Sequence, residues 1–95
     1  MFAIELKYKV ALEEIDALMK AHVASLNKYY KAGNFIMSGR KVPRNSGIII
    51  AQATDKKAVG EIMKQGPFYK NKLADFTVTE FLASQKIPIL KEIIL

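Results

Sequence analysis

The apolar residues of this chain repeat with two different periods, and the order of these periods restricts the fold. Apolar and polar residues alternate from Phe2 to Lys9, which is the pattern of a half-buried strand. From Leu12 onward the apolar side chains recur at steps of three and four, as the buried face of a long helix requires. Ala32-Gly33-Asn34 supplies the C-terminal stop of that helix. The first third of the chain therefore predicts a strand followed by a helix.

Two further strands joined by a hairpin follow the first helix. We expect them at Asn34 to Lys41 and at Gly47 to Ala53, because the intervening residues 42–46 are turn-rich and short enough for a hairpin. Residues 48–51 are apolar in succession, so this strand offers apolar side chains to both faces of its sheet. Both faces are therefore expected to be buried.

A second helix and a last strand complete the pattern. The helix is capped by Thr54 or Asp55 and ends at Gly66-Pro67, and residues 73–82 alternate again as a fourth strand. The resulting order is βαββαβ. It predicts an α+β, ferredoxin-like fold, with a four-stranded antiparallel sheet and two helices on one face.

Such a sheet leaves its second face uncovered. A second copy of the chain, packed sheet against sheet, is the least costly cover, since a self-complementary patch closes as a homodimer.

With 95 residues we expect a single domain over residues 1–95. Its mostly apolar segment 86–95 is predicted to be a C-terminal docking tail that packs on a neighbour and extends the dimer to a higher oligomer.

The residue types present exclude several kinds of chemistry. The chain has no cysteine, which removes disulfides, thiolate nucleophiles and thiolate metal ligands. It has one histidine, so a zinc site would need carboxylates for nearly all of its ligands. No segment matches a phosphate-binding loop, a dinucleotide fingerprint or a nucleophile elbow. We therefore predict no metal and no cofactor.

The net charge of +6 leaves nucleic acid, an anionic small molecule or an acidic partner open, beside a merely solvated basic surface. RNA-recognition modules of the same topology stack bases on aromatic residues of their central strands. The third strand here contains no aromatic residue, so nucleic acid is not expected. No apolar run approaches the roughly 20 residues of a membrane span, and the N-terminus lacks the features of a signal peptide. We expect no membrane partner and a cytoplasmic location.

One polar residue, His22, occupies the apolar stripe of the first helix. The stripe consists of Leu12, Ile15, Met19, His22, Leu26 and Tyr29. A buried imidazole needs hydrogen-bond partners, and two interpretations stay open. His22 is either a structural histidine bonded to a backbone carbonyl, Ser25 or Tyr29, or a general acid or base at the mouth of a cleft.

A catalytic imidazole would need an orienting carboxylate, and Asp75 is the best candidate. It alternates with Thr77 and Thr79 on the strand face away from the helices, where it would line a cavity at the dimer interface. The alternative is a solvated carboxylate at the end of a strand, which is the commoner environment of an aspartate.

Basic residues cluster around the predicted hairpin. Arg40, Lys41 and Arg44 follow Ser38 and Gly39, and guanidinium groups in such a cluster can hold a carboxylate or a phosphate. A solvated basic loop is the alternative.

Five short motifs follow one another along the chain: Ala-His22-Val-x-x-Leu26, Lys-Ala-Gly33-Asn-Phe, Ser38-Gly39, Gly66-Pro67-Phe68 and Phe76-Thr-Val-Thr-Glu-Phe81. In their order and spacing they resemble the YCII-related (YciI-like) family of small proteins. The resemblance covers nearly the whole chain, from Phe2 to Phe81.

The resemblance implies a dimeric α/β barrel with a cleft in which a helix histidine pairs with an aspartate. The histidine corresponds to His22. The aspartate belongs to an Asp-Pro-Phe or Asp-Pro-Tyr element, and in this sequence Gly66 stands at its position. The glycine-proline that commonly follows the second strand is Gly39-Arg40 here. We assign ligand binding in this cleft to Ser38, Arg40, Gly66 and Phe68.

Two hypotheses follow. The first is an enzyme of the lyase, isomerase or dehydrohalogenase type, in which His22 transfers a proton and Arg40 binds the carboxylate of a small organic acid. The second is a non-catalytic module that binds a small ligand or serves in assembly. The missing family aspartate favours the second hypothesis, because an imidazole without a carboxylate lacks the group that fixes its tautomer.

Overall fold

In the computed structural model, the described residues 1–94 form one sheet of four strands, four α-helices and a short 3₁₀-helix. The strands are β1 (Phe2–Tyr8), β2 (Phe35–Arg40), β3 (Ser46–Ala51) and β4 (Ala74–Glu80). The α-helices are α1 (Leu12–Ala17), α2 (Met19–Lys31), α3 (Lys56–Met63) and α4 (Pro67–Lys70), and the 3₁₀-helix is Pro88–Glu92.

The sheet has the strand order β2-β3-β1-β4, and all neighbouring strands are antiparallel. β1 lies in the centre, with Ile4 opposite Ile49 of β3 on one side and Val78 of β4 on the other. Two βαβ units that interlock around a hairpin give this order. The predicted ferredoxin-like α+β fold is confirmed.

The core lies between the helices and the inner face of the sheet. Alternate residues of β1 are buried, as the two-residue period predicts, and they pack with side chains from the helices. The innermost side chains are Phe2, Ile4, Ile15, Val59 and Phe68. Since Phe68 belongs to the short α4, this helix is fixed directly on the core.

The helices differ from the predicted ones at two points. The first helix is divided at Leu18, whose N–H group bonds to the carbonyl of Ile15 at 3.1 Å, three residues back instead of four. After Gly66 the chain forms the additional turn α4, which begins with Pro67.

The N-cap of α3 is Asp55 and not Thr54, because the Asp55 carboxylate accepts from the Ala58 N–H at 2.8 Å. None of the helices in the described part of the chain is long and apolar enough to cross a membrane.

The outer face of the sheet carries exposed apolar side chains. Met37 is 56% exposed and Ile48 is 40% exposed, although both lie within strands. Beside them, Glu5 accepts a hydrogen bond from Ser46 Oγ at 3.1 Å and lies 3.7 Å from Lys41 Nζ. No helix covers this face within residues 1–94, as the sequence predicted.

The C-terminal tail is hydrogen-bonded to its own chain through Gln52. Gln52 Nε2 donates to the carbonyl of Ile93 at 2.7 Å and to that of Gly33 at 2.9 Å. Ile87 and Ile89 remain 64% and 71% exposed. Docking of the tail on a neighbour therefore stays a prediction, and its last residue, Leu95, lies outside the described residues.

Candidate active site

A cavity of about 490 Å³ opens between α1, α2, the β2–β3 hairpin and the inner face of the sheet. Its apolar walls include Leu6, Met19, Val23, Leu26, Ile49 and Phe68. Its polar lining consists of Tyr8, Asp16, His22, Ser38, Arg40 and Arg44. Ligand pockets of small molecules have about this volume and this mixture of apolar walls with a few polar groups.

A β-bulge turns the polar residues of β2 into this cavity. Phe35 lies opposite Ala51 on the inner face, but Ser38, three residues later, also lies opposite an inner residue, Ile49. The extra residue, Ile36, lies at the irregularity between Phe35 and Met37. Since a strand alternates its faces, one inserted residue reverses all that follow. Ser38 and Arg40 therefore point inward.

His22 forms part of the cavity wall. It lies on α2, one turn before Leu26, and its ring stacks on Phe68 with a centroid distance of 4.1 Å and an interplanar angle of 12°. Burial lowers the pKa of this imidazole from its ordinary value of 6.5. At neutral pH His22 is therefore uncharged and able to accept a proton.

The imidazole has no hydrogen-bond partner among the described residues. A structural histidine was expected to bond to a backbone carbonyl, Ser25 or Tyr29, and none of these bonds is present. The geometry therefore favours the interpretation of His22 as a cleft residue, because its ring nitrogens stay available to a ligand.

The mouth of the cavity is bridged by an ion pair. Arg44, in the hairpin, donates to both carboxylate oxygens of Asp16 near the end of α1. The hydrogen bond from Arg44 lowers the pKa of Asp16, and the charges of Arg44 and Arg40 add to this effect. Asp16 in turn raises the pKa of Arg44. Both groups are therefore charged over the whole physiological pH range.

The second guanidinium at the mouth, that of Arg40, has no ion-pair partner within residues 1–94. It is exposed at the end of β2 and lines the same cavity. Nearby, Ser38 Oγ shares a hydrogen bond with the Tyr30 hydroxyl, which leaves this part of the rim neutral. Arg40 is thus a cation available to an anionic ligand.

The model of the YCII-related domain family matches residues 1–82. The chain belongs to the YCII-related family. None of the curated protein sequences matches it.

Two solved structures are similar to this YCII-related chain in fold. One is 5-chloro-2-hydroxyhydroquinone dehydrochlorinase from Burkholderia phenoliruptrix AC1100, in complex with 2,5-dihydroxybenzoquinone, with 16% identity and a TM-score of 0.72. The match covers 86% of this chain and 94% of the dehydrochlorinase. The other is a variant of SnoaB, a cofactor-independent oxygenase from Streptomyces nogalater, with 19% identity, a TM-score of 0.51, and 92% and 94% of the two chains covered. Both belong to the dimeric α/β-barrel superfamily.

The structure does not bring Asp75 to His22. Asp75 points from the outer face of β4, its side chain is 70% exposed, and it pairs with Lys9 at 3.3 Å. His22 packs on the opposite, inner face of the sheet, since it lines the cavity together with Leu6. The predicted role of Asp75 as the orienting carboxylate is therefore corrected, because the sheet separates the two side chains.

Of the four residues predicted to bind a ligand, Ser38, Arg40 and Phe68 line the large cavity. Gly66 does not. It borders a second void, of about 20 Å³, together with His22 and Ser25. A Cβ atom at Gly66 would lie 3.7 Å from Met63 O and 3.9 Å from Ser25 Oγ, so the position that the family resemblance equates with an aspartate has room for a Cβ atom.

Sequence reasoning missed Asp16 and Tyr8 as cavity residues. Asp16 follows Glu13, Glu14 and Ile15 on α1, and nothing in this local sequence distinguishes it from its acidic neighbours. Its contact with Arg44 joins positions 28 residues apart and depends on the path of the hairpin. Among residues 1–94, no three or more His, Asp or Glu side chains are grouped so as to hold a metal ion.

Proposed function

We propose that this YCII-related domain is an enzyme of the lyase, isomerase or dehydrohalogenase type, in which His22 exchanges a proton with a small organic acid. The observation that carries this proposal is the uncharged, unpartnered imidazole in the wall of a cavity that also contains an unpaired guanidinium. A general base must be unprotonated and within reach of its ligand, and these are the two properties that His22 combines.

The environment of His22 favours a reaction in which the imidazole holds the transferred proton only briefly. Its flat face lies against Phe68, whose side chain is 1% exposed, so the imidazolium is poorly solvated in this place. A proton taken from a ligand is therefore readily returned to the same ligand at another atom, or passed on to a leaving group. Isomerisation and elimination both need a base that accepts a proton and then releases it within one turnover.

Arg40 favours a negatively charged ligand and would orient it in the cavity. Its guanidinium has five N–H donors in a planar fork that suits a carboxylate. The apolar walls around Met19, Leu26 and Ile49 would hold the body of the ligand, which limits it to a small molecule with an apolar part and an acidic head.

The similar structures support an enzymatic role at the level of the fold. One is a dehydrochlorinase and the other is a cofactor-independent oxygenase. The same architecture therefore holds enzyme sites in other proteins, although their identities of 16% and 19% carry neither substrate nor residue roles to this chain.

A second candidate is a binding module without catalysis. It is favoured because no carboxylate of residues 1–94 forms an ion pair with the imidazole, since Gly66 stands at the position that the resemblance equates with an aspartate and Asp16 is engaged by Arg44. Without such a group, neither the tautomer nor the charged form of His22 is fixed by a partner.

We propose further that the protein is a homodimer, with the outer sheet face as its interface. Met37 and Ile48 supply exposed apolar area there, and the similar structures are members of a dimeric superfamily. The exposed isoleucines of the tail, Ile87 and Ile89, support a larger oligomer in addition.

The test of the proposed activity combines binding with turnover. Thermal melting is measured for the wild type and for His22→Phe with a panel of small carboxylic acids and phenols, each paired with its neutral amide or ether. An acid that stabilises the wild type but not His22→Phe is then incubated with the protein in deuterated water, and exchange of its carbon-bound hydrogen is followed. Lys20→Gln, on the exposed side of α2, is the control.

Exchange that is lost in His22→Phe and kept in Lys20→Gln supports the enzyme. Binding without exchange or any other turnover supports the binding module. If no acid stabilises either protein, both candidates for the cavity lose their basis.

A further inference from the structure

We infer that Arg44 and Asp16 select the ligand of the cavity: the carboxylate of the ligand binds between Arg40 and Arg44, and it displaces Asp16 from Arg44. Asp16 is then an internal competitor for the anion site. This inference rests on the proposed function for the organic acid and adds the residues that choose it.

The charges at the cavity mouth favour a monoanion. Arg40 and Arg44 contribute two positive charges and Asp16 one negative charge, so one positive charge remains. The three side chains come from different elements, namely the end of β2, the hairpin and the end of α1. Their convergence around one opening is therefore a property of the folded chain, not of a local cluster in the sequence.

Arg44 has an unused donor on its second edge. Its two terminal nitrogens donate to Asp16, whereas its Nε–H is buried and has no acceptor among the described residues. A buried donor without an acceptor is unfavourable, and the Nε edge of a guanidinium can bind a carboxylate through two parallel hydrogen bonds. A ligand carboxylate on this edge would accept from Nε and from Nη2, and Nη2 is the nitrogen that now donates to Asp16. The two carboxylates therefore compete for this nitrogen.

Asp16 is the partner that can move away. Its side chain is 56% exposed, against 24% for Arg44, and the carboxylate is rehydrated when it turns into water. An exposed ion pair contributes little to stability, so the exchange of Asp16 for a ligand carboxylate costs little. Arg44 is therefore paired with a carboxylate in both states, with Asp16 in the free protein and with the ligand in the complex.

The inference is tested with benzoate as the probe and benzamide as its uncharged counterpart. Dissociation constants are measured by nuclear magnetic resonance titration for the wild type, Asp16→Asn, Arg44→Gln, the double variant and His22→Phe. Arg44→Lys is included because it keeps the charge but not the planar fork. Glu14→Gln removes another exposed carboxylate from α1, outside the cavity, and is the matched control.

Asp16→Asn is expected to bind benzoate about two- to fivefold more tightly, since the loss of a competing exposed pair is worth up to about 1 kcal/mol. Arg44→Gln is expected to bind it about tenfold or more weakly, as the loss of a hydrogen bond to a charged group implies. Arg44→Lys lies between them, and Glu14→Gln matches the wild type. In the double variant the gain from Asp16→Asn shrinks, because the gain depends on Arg44.

Other outcomes separate this inference from the proposed function. If Asp16→Asn leaves benzoate binding unchanged or weakens it while His22→Phe abolishes it, the inference is overturned and the proposed function stands. Binding that depends on Asp16 and Arg44 but not on His22 supports the inference and contradicts the role of His22. If benzoate binds to none of these proteins, the inference is overturned together with the organic-acid ligand.

Discussion

The imidazole of His22 lies face to face with the phenyl ring of Phe68, at a centroid distance of 4.1 Å and an angle of 12°. Phe68 is held in place by the core and by an edge-on contact with Tyr8 at 6.1 Å. The stack therefore fixes the plane of the imidazole without a hydrogen bond. In the proposed enzyme this packing supplies part of the orientation that a carboxylate gives in other histidine sites.

The pKa of His22 is expected to be below 6.5 in the folded protein, because burial disfavours the imidazolium. Since the chain has one histidine, its ring protons can be followed by nuclear magnetic resonance without ambiguous assignment. A midpoint at or above 6.5 would contradict the expectation. If His22 acts as a base, the turnover rate decreases at pH values below this same midpoint, because the imidazole is then protonated.

The lowered pKa also makes the stability depend on pH. Between the folded pKa and 6.5, the unfolded chain binds more protons at His22 than the folded chain does. The contribution of His22 to the free energy of unfolding is therefore highest above pH 6.5 and decreases as the pH falls to the folded pKa. Urea denaturation of the wild type and His22→Gln at a series of pH values isolates this contribution, because carboxylates titrate equally in both. A constant difference between the two proteins across the window would argue against it.

Phe68→Leu is expected to lower the free energy of unfolding by about 1–3 kcal/mol, the usual range for a core substitution that leaves a partial cavity. It also removes the flat surface on which His22 lies. Solvent then reaches the imidazole more easily, so its pKa rises toward 6.5. Tyr69→Leu, at an adjacent position that is 42% exposed and contacts Phe76, serves as the control. It should leave the His22 pKa unchanged, and equal pKa shifts in both variants would exclude a specific effect of the stack.

Gly66→Asp is expected to raise the pKa of His22, because Gly66 and His22 border the same small void and a carboxylate near the ring favours the imidazolium. The backbone accepts the side chain, since Gly66 has a φ of −79° and a Cβ would meet no atom closer than 3.7 Å. The position is also the N-cap of α4, where aspartate is favoured. Gly66→Asn has nearly the same shape without the charge. If both variants give the same His22 pKa, the carboxylate does not reach the imidazole; if Gly66→Asp alone gains turnover, the missing aspartate limits the wild type.

The four-stranded sheet and the βαββαβ order of the elements could be predicted because the first and last strands alternate with a two-residue period, whereas the first helix has apolar residues at steps of three and four. His22 could be singled out for a related reason, since a polar residue interrupts an otherwise apolar stripe. These signals are local, and local patterns suffice to assign elements and faces.

The site could be predicted only in part, because it depends on contacts that no local pattern encodes. The bulge at Ile36, which turns Ser38 and Arg40 inward, lies in a sequence without glycine or proline at that point. The division of the first helix at Leu18 likewise has no local signal. Asp75 was assigned to the correct face of β4, but that face is the one away from His22, so the two parts of the prediction were incompatible in three dimensions.

Ile48→Lys is expected to convert the proposed homodimer to monomers without unfolding the chain. Ile48 lies directly opposite Glu5 on the outer face, so the new lysine gains a cross-strand partner of opposite charge within each monomer. At a sheet-to-sheet interface the same lysine would be buried, and an imperfectly paired buried charge weakens association by about 3–5 kcal/mol, or roughly 100-fold or more. Light scattering over a dilution series, together with melting curves, measures both effects. Ile87→Lys in the tail is the control: it should leave the dimer intact and remove only a larger oligomer. A wild-type monomer at micromolar concentration, or an Ile48→Lys protein that remains dimeric, would show that this face is not the interface.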